Sequence, residues 1–276
     1  MIIIHAHLKY CINTLADVWK NDPRAVAFAL EGSGGRGNDD QWSDGDVMVV
    51  VKDDSYADVH REMRELMEKY CGKIRMWLPE GEAERCVNYA FLFEKDDEQF
   101  LFDHSLFCES VIRETPSFEA GVIFFDKSGA LTAANQRFTE LKPNFDPSLL
   151  LGIIDTYLVY TYLNGKYFRR GDTAKLIYIQ TTLQGLHMRL MQALYLDLRF
   201  TGWWCRDIYL LSEEHQRIIL MYAVPPDCQK IATLIRPELN HFSTDARRIC
   251  ANLGMEYPKD GEAFVLRQLI DAGIPE

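Results

Sequence analysis

The rhythm of apolar and polar positions changes near residue 143 of this 276-residue chain. Before that point, short apolar runs alternate with turns and a few helical stretches. Residues 9–20 predict a helix with Cys11, Leu15 and Val18 on one face. Residues 24–30 (RAVAFAL) predict a buried strand that stops at Glu31 and a glycine cluster, and residues 46–52 (DVMVVVK) predict a second strand. Residues 55–70 predict a charged amphipathic helix with Val59, Met63, Leu66 and Met67 turned inward. Residues 86–94 and 99–107 predict two strands joined by the polar turn Lys95-Asp96-Asp97-Glu98. Residues 121–126 (GVIFFD) predict another strand, followed by the turn Lys127-Ser128-Gly129.

Beyond residue 143 the helical period dominates. Residues 142–147 predict a linker; Asp146 is placed to cap the next helix and Pro147 suits its first turn. Over 172–198, Leu176, Ile179, Leu183, Leu186, Leu190, Leu194 and Leu198 form one continuous stripe. Further helices are expected from Ser212, which can cap Glu213-Glu214, and from near Thr244 and Gly261, with Pro225-Pro226 as a break. The expected fold is therefore α+β: a mixed-sheet domain over residues 1–142, then an all-helical bundle over 147–276.

The composition, with 47% hydrophobic and 26% charged residues, is that of a globular chain and excludes intrinsic disorder. The net charge of -11 argues against a general nucleic-acid binder and is compatible with a cationic small substrate. The seven cysteines are scattered without a CxxC pair, so neither a zinc ribbon nor a disulfide framework is expected. Free thiols, no signal-peptide pattern at the start and no apolar run of spanning length lead to an expected cytoplasmic, membrane-free protein. His5-Ala6-His7 offers two imidazoles with no evident third ligand, so it is left outside the expected chemistry.

The chemistry concentrates in residues 27–52, AFALEGSGGRGNDDQWSDGDVMVVVK. A buried strand enters Gly32-Ser33, a loop with Gly34, Gly35 and Gly37 follows, and Asp44-Gly45-Asp46 opens the second strand. Glycines admit close backbone approach and expose amide N–H groups, and Ser33 adds a hydroxyl, which together suit phosphate. The two glycines at 34 and 35 are poor helix formers. Asp44 and Asp46 stand two apart on extended chain, so their side chains share a face and repel unless a cation lies between them. Magnesium commonly joins one or two carboxylates to substrate phosphates. The loop lacks the Gly-Lys-Ser/Thr of a P-loop and the GxGxxG of a dinucleotide fingerprint.

Gly-Ser followed by Asp-x-Asp opening a strand resembles the nucleotidyltransferase superfamily that includes DNA polymerase beta, and within it the lincosamide- and aminoglycoside-modifying antibiotic nucleotidyltransferases. QFLFDHSLF, VIFFDKSGAL and FRRGDTAK extend the likeness over most of the chain. The resemblance implies a nucleotidyltransferase domain followed by the helical domain. It implies Asp44 and Asp46 as magnesium ligands and Asp103 as general base or third ligand. Gly32 and Ser33 would grip the phosphates of a nucleoside triphosphate, ATP by expectation. Arg36, Lys166, Arg170 and Lys175 are the candidates to offset the triphosphate charge. The implied reaction moves a nucleoside monophosphate to a hydroxyl of a small molecule, an aminoglycoside or lincosamide, in an enzyme that often dimerises. The alternatives are a protein-modifying nucleotidyltransferase of the toxin–antitoxin type and a non-catalytic nucleotide-binding module. Trp203-Trp204, Tyr157, Tyr160 and Tyr162 are weighed as pocket residues against a simpler place in the core, and His104 is expected on the strand face opposite Asp103.

Overall fold

The computed structural model of the protein describes residues 5–140, 145–196 and 204–276. By its internal contacts the chain divides into two compact units, Met1–Lys142 and Pro143–Glu276. The fold is α+β, with a mixed sheet in the first unit and helices throughout the described part of the second.

The first unit opens with α1 (Ala6–Asn21), β1 (Ala25–Leu30), the single-turn α2 (Gly32–Arg36), β2 (Gly45–Val51) and α3 (Tyr56–Tyr70). It continues with β3 (Lys73–Ala83), β4 (Cys86–Lys95), β5 (Glu98–Cys108), α4 (Glu109–Glu114), β6 (Val122–Asp126) and α5 (Ala130–Glu140). The strands form a sheet in the order β3-β4-β5-β2-β1-β6. β2 and β5 pair in parallel, and the other neighbours are antiparallel. The β4–β5 hairpin turns through Asp96 and Asp97, both at positive φ (52° and 64°), as a type I′ turn requires.

Alternation along the strands sorts the core onto two faces. Val47, Val49, Val51, Phe28, Phe91 and Phe102 pack with α1 and α3. Met48, Val50, Ala27 and Ala29 pack with α4 and α5. Residues 73–83 carry no strand expectation from the sequence, yet they form β3. Only Ile74 is buried along it, and Pro79 and Gly81 interrupt its pattern; a sheet-edge strand tolerates both because one of its sides needs no partner. α4 and α5 also lie outside the sequence expectations.

The second unit contains α6 (Pro147–Arg169), α7 (Thr173–Met191), a π-turn at Gln192–Leu196, a 3-10 segment at Trp204–Leu210, α8 (Glu213–Leu220), α9 (Cys228–Leu253) and α10 (Lys259–Asp271). Asp146 caps α6 through the Ser148 N–H, with Pro147 in the first turn, and Ser212 caps α8. Part of the expected 142–147 linker, at 142–144, lies outside the described residues, as does Leu198 of the leucine stripe. Within α7, Leu176, Ile179, Leu183 and Leu190 are buried, and Leu186 and Leu194 pack against the same core. The helix expected to begin near Thr244 begins at Cys228 instead, capped by Asp227, with Thr244 in its interior. Its buried stripe Ile231, Ile235, Leu239, Phe242, Ala246 and Ile249 runs straight through Pro237. Burial along that stripe outweighs the roughly 3 kcal/mol that an interior proline costs. No helix among the described residues is long and apolar enough to cross a membrane.

Candidate active site

The three acids singled out in the sequence meet in space. The parallel register of β2 and β5 sets Asp46 beside Asp103, and Asp44 precedes Asp46 by two residues. One carboxylate oxygen from each of Asp44, Asp46 and Asp103 lies within 4.8 Å of the others, and all three side chains are half-buried. Such crowding disfavours simultaneous ionisation. Burial, followed by the charges of Asp44 and Asp103, pushes the Asp46 carboxyl up to about 7, and Arg36 draws it back only in part. Burial raises Asp103 as well, opposed by a hydrogen bond from Asn88 and reinforced by Asp44 and Glu80.

The glycine loop is fitted to these acids. Gly32 sits at φ +55°, and a Cβ there would lie 1.7 Å from Asp46 Oδ2. Glu31 N–H donates to the Asp46 carbonyl at 2.8 Å, joining the end of β1 to the start of β2. The weak helix formers Gly34 and Gly35 do stand inside α2. A Cβ on Gly35 would come within 2.5 Å of the Leu30 carbonyl and 3.0 Å of Gly121 Cα, so close packing selects glycine over helix propensity. Gly45, between the two aspartates, faces the Phe102 ring at 2.6 Å from where its Cβ would stand. The Ser33 hydroxyl is buried and has no hydrogen-bond partner in the protein. A buried hydroxyl in that state marks a place for a polar ligand or water.

Two further residues belong to this site and were not found from the sequence. Asn88 Nδ2 donates to Asp103 Oδ1 at 3.1 Å, while its Oδ1 accepts from Ser105 Oγ at 3.1 Å. The chain Ser105–Asn88–Asp103 therefore orients one carboxylate oxygen of Asp103. Its only sequence signal is an amide inside the apolar run CVNYAFLF. Glu31 ends β1 beside the acids; burial, then Asp46 and Glu119, push its carboxyl up to about 8. An acid closing a buried strand just before Gly-Ser was the clue to it.

His104 points to the opposite face, as expected. It is fully buried and accepts a hydrogen bond from Trp19 Nε1 at 3.3 Å, and burial lowers it to about 4, so it is a neutral core residue. Arg36 stands with the acids, whereas Lys166, Arg170 and Lys175 gather at the α6–α7 corner of the second unit. There Lys166 and Lys175 both lie over the Tyr167 ring, at 5.3 and 5.0 Å, and Lys175 pairs with Asp172 at 2.9 Å. Tyr157 is core: it is fully buried and stacks on Phe242. Tyr160 and Trp204 are half-buried, and Trp203 lies outside the described residues. Tyr162 lines an apolar cavity of about 330 Å³ with Leu158, Val159 and Phe264.

The site's donor set is all oxygen, which fits a hard divalent cation such as magnesium. The raised Asp46 and the unpartnered Ser33 hydroxyl agree with that fit, since a cation would relieve the first and a phosphate would satisfy the second.

No family model and no curated protein matches the chain. Among solved structures it is similar to an aminoglycoside 6-adenyltransferase from Bacillus subtilis, at 13% identity over 98% of this chain and 100% of that one, with a TM-score of 0.40. It is also similar to a nucleotidyltransferase-like protein from Exiguobacterium sibiricum, at 12% identity over 89% of this chain and 80% of that one, with a TM-score of 0.30.

Proposed function

We propose that the protein is a magnesium-dependent nucleotidyltransferase that moves a nucleoside monophosphate, AMP from ATP, to a hydroxyl of a small molecule, with an aminoglycoside or lincosamide as the acceptor class. The observation that carries the reading is the convergence of Asp44, Asp46 and Asp103 within 4.8 Å, beside Gly32, where no side chain fits. Asp44 and Asp46 would hold the cation, with Asp103 as third ligand or base. When bound, magnesium supplies charge neutralisation on the triphosphate.

The protein's own groups do the rest. Ser33 Oγ and the loop amides donate to phosphate oxygens, and Arg36 adds positive charge beside Asp46. Asn88 fixes Asp103 Oδ1 and leaves Oδ2 for the proton of the acceptor hydroxyl. The raised pKa of Asp103 makes it a better proton acceptor than an ordinary aspartate. The hydroxyl oxygen attacks the α phosphorus, the bond to the bridging oxygen breaks, and pyrophosphate leaves.

The test is transfer of α-labelled phosphate from ATP, with magnesium, to a panel of aminoglycosides and lincosamides, beside Asp46→Ala. Labelled antibiotic from the wild type only supports the reading. Tight magnesium-dependent ATP binding without product moves the acceptor to other hydroxyls or to proteins. Absence of both binding and transfer refutes it.

A further inference from the structure

We propose that His5, His7 and Glu98 form a second cation site, for a late first-row divalent ion such as zinc, which ties the start of α1 to the β4–β5 hairpin. The sequence offers His5-Ala6-His7 without a third ligand, and the hairpin supplies one. His7 Nδ1 lies 3.1 Å from Glu98 Oε2, and His5 Nε2 lies 3.7 Å from Glu98 Oε1. One ligand atom from each residue falls within 4.8 Å of the others. Tetrahedral zinc with bonds of about 2.0–2.1 Å holds its donors roughly 3.4 Å apart, so only a small closure is needed.

Three features separate this cluster from ordinary surface ion pairs. Both imidazoles are held against Phe100, with centroids at 5.0 and 5.6 Å. His7 Nδ1 is shielded from water and faces Glu98 Oε2, so the atom is already aimed at the third residue of the cluster. On the other side of that ring, Nε2 stands 3.4 Å from Asp96 Oδ2. A metal-bound imidazole typically donates its second N–H to such a carboxylate, which fixes tautomer and orientation. The positive end of α1 opposes a cation here, and Glu98 and Asp96 supply the compensating negative charge. Ligation through His5 Nε2 places the remaining ring proton on Nδ1, so the long 3.4 Å cap contact from the His7 N–H is given up. Imidazole donors select zinc, copper or nickel over magnesium, whereas the all-oxygen Asp44–Asp46–Asp103 cluster has the opposite preference. The two sites are therefore separable by metal, and this proposal does not depend on the catalytic reading.

The test is calorimetric titration of the full chain with zinc in the presence of excess magnesium. One equivalent should bind. His7→Ala should weaken it at least tenfold, and Asp96→Ala by about tenfold. Asp46→Asn should leave it unchanged. Cobalt(II) in place of zinc should give the visible absorption of a nitrogen-containing low-coordinate site, lost in His7→Gln, a variant at a partly exposed position whose fold circular dichroism verifies. Zinc binding that survives His7→Ala, or that disappears in Asp46→Asn, or the absence of stoichiometric binding, overturns the proposal.

Discussion

Replacing Gly32 by alanine tests the site more sharply than removing an acid, because the structure supplies its own control. Gly32 and Gly37 both lie in the left-handed region, at φ +55° and +73°. Either substitution therefore carries the same backbone strain, about 1–2 kcal/mol. The two differ in what the new methyl meets. At Gly37 no atom lies within 4 Å, whereas at Gly32 the Cβ would stand 1.7 Å from Asp46 Oδ2, 2.4 Å from its Cγ and 2.8 Å from its Cβ. Contacts below 3.0 Å are not accommodated, so the Asp46 carboxylate must retreat by at least 1.3 Å, the shortfall between 3.0 and 1.7 Å. A displacement of about 1 Å in a catalytic group can cost around 10²-fold in rate. Both variants should lose stability in urea unfolding, Gly32→Ala at least as much as Gly37→Ala. Gly32→Ala should lose about 10²-fold in turnover and most magnesium-dependent ATP affinity, while Gly37→Ala should stay within a few-fold of wild type. Equal activity of the two variants would show that the contact between Gly32 and Asp46 does not shape the site.

Asp103→Asn should lower the chemical step by roughly 10²–10⁴ while sparing ATP binding if Asp103 is the base; a loss confined to ATP affinity would recast it as a metal ligand. Asn88→Ala should reduce turnover less than Asp103→Asn does, with Asn88→Ser intermediate, and a turnover equal to wild type would remove Asn88 from the site. Glu238 is buried in the second unit, and burial pushes its carboxyl up to about 8 from an ordinary 4.5, with Gln180 offsetting only part. Its folded pKa exceeds its unfolded one, so its stabilising contribution is complete below about 4.5 and is lost as pH rises toward 8. Unfolding free energy should fall between those limits, and Glu238→Gln should flatten the fall; an unchanged pH dependence in that variant would contradict the assignment.

The elements legible in the sequence were those whose burial obeys a simple period. β1 and β2 are short apolar runs buried on both faces, β4, β5 and the stripe of α7 each present one buried face, and the caps Asp146 and Ser212 announced two helix starts. β3 was invisible because an edge strand buries little and so leaves no alternation to read. The start of α9 was placed too late, although its buried stripe is continuous on both sides of Pro237. Asp44, Asp46 and Asp103 were singled out through motif order, and the strands that carry them bring the three carboxylates together. Asn88 and Glu31 were not, because their place beside the acids depends on the pairing register of successive strands, which neither residue announces in a motif.

That register also accounts for the form of the site. β2 and β5 are parallel neighbours at the centre of the sheet, with β1 and β4 antiparallel beyond them, and their register sets the start of β2 against the middle of β5. Asp46 and Asp103 enter side by side there, each raised above its ordinary range by burial and by neighbouring carboxylates. A sheet that gathers like charges on adjacent central strands incurs an electrostatic cost that a purely structural role would not retain, since apolar residues of similar volume would remove it. Among the described residues the neighbouring Ser33 hydroxyl is left unsatisfied by the protein, and Gly32 is held open beside Asp46. Repulsion, orphaned donor and enforced space coincide at one point, and a cation bearing phosphate oxygens answers all three together.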